Sequence, residues 1–287
     1  MTRRLWIAVP AYDGRVTCET AEALNAEVYE AISRGWHYVV QFYQQDPIIS
    51  YARNFLVMRF LASNFTDMVF VDSDVGFPMG TLCKLADYDV DIVGASYPYR
   101  VEPTNYPVRY MDGGDLTPFN PKTGKPCTQA DVGPDGHPVG GLLQVAGLPT
   151  GCMAIKRHVL EKLIELHPEL RYKDRTGEDA YALFDFKVRD GQFFGEDYTF
   201  CNYATDAGFR IWLDPNLDMT HTGTKVYKGN IARWLRSRAE PVGDPMENIM
   251  KFARQVQNLG DEESKTNHIA RQSAVLELAR GLQAGRG

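Results

Sequence analysis

The chain has 287 residues, 44% of them hydrophobic and 24% charged. These proportions suit a soluble globular protein with a sizeable core and exclude a disordered, collagenous or coiled-coil chain. The net charge of −6 argues against a protein-wide electrostatic grip on nucleic acid. No run approaches the ~20 apolar residues of a membrane span, so the sequence predicts neither a signal peptide nor an anchor. The five cysteines, Cys18, Cys83, Cys127, Cys152 and Cys201, are scattered and form no Cys-x-x-Cys pair. They are read as reduced thiols in a cytoplasm.

Residues 5–9 form a compact apolar run ending at Pro10 and predict a buried first strand. A helix follows: Thr17 is its cap, Ala21, Leu24, Val28 and Ile32 recur at helical spacing, and Gly35 ends it. Residues 37–42 predict a second strand, and 48–61 an amphipathic helix carrying Arg53 and Asn54. Residues 68–71 form a central strand running straight into Asp72-Ser73-Asp74. A short helix at 79–86 and a strand at 91–95 continue the alternation. This is the signature of an α/β fold: a Rossmann-like, mostly parallel sheet with helices on both faces.

Between Pro98 and Gly141 the pattern breaks into Pro, Gly and Asp punctuation. This region is read as an inserted set of loops and hairpins, a lid or docking element. Strands are expected at 142–146, 153–155, 209–213 and 217–220, with helices at 159–166 and from Gly195 to about Ala207. After Gly229 the composition changes. Residues 1–229 are therefore expected to form the main domain and 230–287 a helical C-terminal tail. From Lys228 onward the chain carries ten Lys or Arg against seven Asp or Glu, so its acidity sits in the main domain.

Asp72 and Asp74 lie two apart at the end of an apolar strand, which aims both carboxylates beyond the carboxyl edge of the sheet. Open α/β sheets bind ligands there. Two carboxylates this close call for a cation, and hard oxygen ligands suit Mg²⁺ or Mn²⁺. Gly195-Glu196-Asp197 puts two more carboxylates at a helix start, where the helix dipole alone also explains acidic residues. His221 directly follows the strand expected at 217–220. No Gly-x-Gly-x-x-Gly follows the first strand and no phosphate-loop motif occurs, which disfavours a dehydrogenase or a P-loop enzyme.

These elements in this order resemble the GT-A fold glycosyltransferases, especially the family-2-like group that uses nucleotide-sugar donors. The resemblance spans residues 5–229 and rests on Val9-Pro10-Ala11-Tyr12, Ala52-Arg53-Asn54, Asp72-Ser73-Asp74, Pro149-Thr150-Gly151, Gly195-Glu196-Asp197 and His221. It implies a metal-dependent transfer of sugar from a nucleotide-sugar, with a UDP-sugar the expected donor, to an unidentified hydroxyl acceptor. By resemblance Asp74 and His221 hold Mn²⁺ or Mg²⁺, and Asp72 contacts the metal's water shell or the donor ribose. Asp197 is the base of an inverting member, with Glu196 orienting the acceptor or backbone. Pro10, Ala11 and Tyr12 hold the nucleotide base, and Ser73 joins the donor-binding set. Arg53 is a candidate phosphate contact or a solvated residue. The segment 222–229, bracketed by Gly223 and Gly229, reads either as a hinged lid bringing Lys225 or Lys228 to the diphosphate or as a plain connector. A sugar nucleotidyltransferase and a non-catalytic nucleotide-sugar-binding protein are the alternatives. The acceptor, a small molecule, glycan, protein or modified nucleic acid, is left open, as are the inverting or retaining outcome and the oligomeric state.

Overall fold

The computed structural model describes residues 3–113, 116–126 and 141–239. The chain divides into a unit of residues 1–235 and a second of residues 236–287. Nearly all of the second unit lies outside the described residues. Cys127 and the central part of the expected insertion lie outside them as well.

The first unit opens as the alternation requires: β1 (Arg4–Ala11), α1 (Cys18–Ser33), β2 (His37–Gln44), α2 (Ile49–Leu61) and β3 (Asp67–Val71). Thr17 caps α1 by accepting a hydrogen bond from the Thr20 backbone N–H, and Gly35, at φ +67°, ends it in the left-handed region. Next come β4 (Val75–Gly76), α3 (Thr81–Asp87), β5 (Ile92–Gly94), β6 (Arg109–Tyr110), β7 (Leu143–Gly147), β8 (Cys152–Lys156) and α4 (Arg157–Leu166). The chain then makes two small antiparallel hairpins, β9 (Arg171–Lys173) with β10 (Asp179–Tyr181) and β11 (Lys187–Arg189) with β12 (Gln192–Phe194). It continues through α5 (Glu196–Asp206), β13 (Ile211–Leu213), β14 (Met219–Thr222), β15 (Val226–Gly229) and α6 (Ile231–Ala239).

Eight strands form the central sheet in the order β2-β1-β3-β8-β5-β13-β7-β6. Six run one way, and β8 and β7 run against them. Alternate residues of each strand feed opposite faces. Trp6, Ala8, Met68 and Phe70 pack with Leu56, Phe60, Leu160 and Phe200 from α2, α4 and α5. Leu5, Ile7, Val69 and Val71 pack with Leu24, Leu82 and Leu85 from α1 and α3. The mixed α/β, Rossmann-like sheet with helices on both faces is therefore present. Among the described residues no helix is long and apolar enough to cross a membrane.

Close approach of β5 to β8 leaves no room for a side chain at Gly94, where a Cβ would sit 2.7 Å from the Cys152 carbonyl oxygen. Gly94→Ala is expected to cost about 1–3 kcal/mol, as overpacking in a core does. Urea unfolding measures this, and an unchanged midpoint would mean the two strands part freely.

Two expectations are corrected here. His221 lies inside β14 rather than after it. The segment 222–229 is the turn and second strand of a hairpin, because β15 pairs with β14 from Met219↔Gly229 to Thr222↔Val226. A stretch held by that ladder is neither a segment hinged at both ends nor a free connector.

Candidate active site

The apolar run of β3 ends at Val71, and the chain turns off the sheet through Asp72, Ser73 and Asp74. Asp72 is fixed from three sides. Its backbone N–H donates to the Gly151 carbonyl at 3.1 Å, Oδ1 accepts from Arg53 Nη2 at 2.9 Å, and Oδ2 accepts from the Tyr97 hydroxyl at 3.2 Å. Gly151 is required by this crowding, since a Cβ there would lie 2.2 Å from the Tyr97 hydroxyl.

Arg53, projecting from α2, is only 3% exposed. Its Nε donates to Glu196 Oε1 at 3.3 Å, so one buried guanidinium ties the Asp72 turn to the start of α5. Burial favours its neutral form, but Asp72 and Glu196 outweigh burial and hold it charged, above its ordinary range. The sequence left Arg53 between phosphate contact and solvated residue. The structure buries it between two carboxylates.

Asp74 faces His221, with Oδ1 3.5 Å from Nε2. The Pro98 carbonyl, 2.9 Å away, can only accept, so His221 Nδ1 donates to it. In the neutral ring Nε2 then keeps its lone pair toward Asp74. Burial, with Arg100 nearby, lowers the His221 pKa and favours that neutral form. Among the described residues no three His, Cys, Asp or Glu side chains gather as a metal cage. The Asp74–His221 pair still fits one ion in part, because neighbouring ligands of an octahedral cation with bonds of about 2.0–2.1 Å lie about 3 Å apart. The rest of such a shell would come from water or a ligand. Asp72 has both carboxylate oxygens engaged by Arg53 and Tyr97.

Asp197 sits in the first turn of α5, where Oδ1 accepts from the Tyr198 backbone N–H at 2.8 Å. Its pKa is raised to about 6, mainly by burial and next by Glu196, against the lowering pull of Arg53. A carboxyl poised there can take a proton near neutral pH.

These groups converge on one cleft of about 440 Å³ at the carboxyl edge of the sheet. Pro10, Ala11 and Tyr12 line it from the end of β1, and Arg53, Asp72, Ser73 and Asp74 from α2 and the turn after β3. Glu196, Asp197 and His221 complete the set of expected residues. Lys225 and Lys228 do not line it. Lys225 reaches Glu102 Oε1 at 2.9 Å, and Lys228 is exposed on β15 opposite Thr220. Sequence reasoning missed Asp46, Tyr97, Tyr99 and Arg100, all of which line the cleft. Asp46 and the Tyr97–Arg100 stretch follow the ends of β2 and β5, the same positional signal that marked Asp72.

No protein-family model matches the chain, and no curated protein matches it. Among solved structures, A197 from STIV is similar at TM-score 0.41 and 16% identity, with 77% of this chain and 86% of that one covered. A glycosyltransferase involved in the glycosylation of the major capsid of PBCV-1 gives TM-score 0.27 and 10% identity over 58% of this chain and 67% of that one. Both scores lie below 0.5, and what the chain does is read from its own cleft.

Proposed function

We propose that the cleft transfers a glycosyl group from a nucleotide-sugar to an acceptor hydroxyl, on a GT-A-type arrangement. The observation that carries this is one cleft holding both a carboxylate–imidazole pair, Asp74 with His221, and a separate carboxyl, Asp197, raised to about 6. Asp197 takes the proton of the acceptor hydroxyl, whose oxygen bonds to the anomeric carbon as the bond to the diphosphate breaks. Glu196, held by Arg53, raises the proton affinity of the base, while Arg53 itself favours the charged carboxylate. Asp74 and His221 would hold a divalent cation, and the imidazole tilts the preference to Mn²⁺ over Mg²⁺. When bound, that ion supplies Lewis-acid stabilisation of the leaving diphosphate. The exposed Tyr12 and its neighbours Pro10 and Ala11 offer the surface for the nucleoside, with a UDP-sugar the first donor to test.

UDP-, GDP- and dTDP-sugars incubated with Mn²⁺ are expected to release nucleoside diphosphate slowly, and Asp74→Ala is expected to stop the release. In calorimetry the same variant should lose Mn²⁺-dependent donor binding. No release from any donor, or equal Mn²⁺-dependent affinity in Asp74→Ala, would overturn the reading.

A further inference from the structure

Among the described residues, three cationic or imidazole side chains line the cleft: Arg53, Arg100 and His221. Arg53 is buried between two carboxylates and His221 is turned to Asp74, with 4% and 15% of their side chains exposed, so Arg100 is the one of the three that reaches into water. Its guanidinium pairs with Asp74 Oδ2, yet its side chain is 41% exposed. An ion pair open to water holds weakly, so this arm can leave its partner.

The backbone that carries the arm is pinned. The Pro98 carbonyl accepts from His221 at 2.9 Å, Tyr99 N–H donates to the Asn105 carbonyl at 2.8 Å, and the Thr104 carbonyl accepts from Trp234 Nε1 at 2.9 Å. Glu102 pairs with Lys225 at 2.9 Å. The stem of Arg100 rests on Gly223 at the tip of the β14–β15 turn, where a Cβ would come within 2.8 Å of Arg100 Cδ. The result is a fixed attachment point with a long, planar, double-donor head at the cleft, the form that grips phosphate oxygens.

We infer that Arg100 is a donor-binding residue that grips the diphosphate, and that in the donor-free protein it serves as the counter-ion of Asp74. This rests on the glycosyl-transfer reading above. Once a divalent cation occupies Asp74, the guanidinium is released and turns to the phosphate oxygens. Cation and Arg100 therefore compete for Asp74, whereas cation and diphosphate bind cooperatively through the freed arm.

Calorimetry on the full chain separates these effects, with Mn²⁺ alone, then UDP, GDP and dTDP in Mn²⁺, then uridine as the phosphate-free probe. Arg100→Ala is expected to bind Mn²⁺ more tightly and the diphosphate about tenfold or more weakly, the scale of a lost charge-assisted bond. Uridine affinity stays level, and Arg100→Lys recovers part of the diphosphate affinity. Thermal melts of both variants matching the wild type keep folding out of the comparison. Diphosphate affinity equal to wild type, a parallel fall in uridine affinity, or Mn²⁺ binding no tighter than wild type overturns the assignment. A wild-type chain that binds no nucleotide at all overturns the glycosyl-transfer reading, and the Arg100 assignment with it.

Discussion

Replacing Asp197 by Asn is expected to cut transfer by ~10²-fold or more while nucleotide affinity holds, the pattern of a lost general base. Asn preserves the shape and can still accept from the Tyr198 N–H, so the change isolates the proton acceptor. Because the group titrates near 6 rather than at the usual 3.8, the wild-type rate should rise from pH 5 to pH 7 and flatten above it. The variant should lack that rise. The same shift has a stability consequence with a definite sign. In the folded state the carboxyl holds its proton up to about pH 6, whereas the unfolded chain releases it near 3.8. Native stability therefore falls between those values as pH rises. Asp197→Asn should thus be more stable than wild type at pH 7, and the difference should vanish below pH 4. Wild-type turnover in the variant would remove Asp197 from the reaction.

Arg53→Met is expected to lower the unfolding free energy by about 3–5 kcal/mol, because removing one partner of a buried ion network strands the others. Asp72 and Glu196 would then lack the guanidinium that offsets their burial. Adding Glu196→Gln to Arg53→Met should recover part of the loss, since it removes one stranded charge. Urea unfolding measures all three chains. A loss under about 1 kcal/mol for Arg53→Met would mean water reaches the carboxylates and replaces the arginine.

Much of this site was legible because its residues sit where apolar runs stop. Met68 to Val71 announce a buried strand, and period two places Asp72 and Asp74 beyond it without any tertiary knowledge. The Thr17 cap and Gly35 stop were equally local. The strand containing Cys152 to Lys156 was visible as an apolar run, but its direction was not, because reversal depends on partners far along the chain. β9 to β12 went unseen for a different reason: strands of three residues, mostly exposed, carry no periodicity to detect. Around Lys225 and Lys228 the sequence offered two glycines, which permit a hinge and a tight hairpin alike. Pairing of Thr220 with Lys228 settled it. Arg100 was overlooked because Pro98 read as the start of an insertion, although the chain is still at the cleft edge there.

β8 occupies the place between β3 and β5 and pairs antiparallel with both. On the ribosome, the five residues of β3, every one of them buried in the finished protein, must wait with an unpaired flank until residue 156 has been made. The whole stretch 98–141 is synthesised during that wait. An apolar strand with an open flank is what neighbouring nascent chains adhere to. Lengthening the stretch would add little closure cost to the finished fold, which grows only slowly with loop length. It would, however, prolong the wait. The length of the stretch 98–141 thus sets how long the half-made sheet is vulnerable.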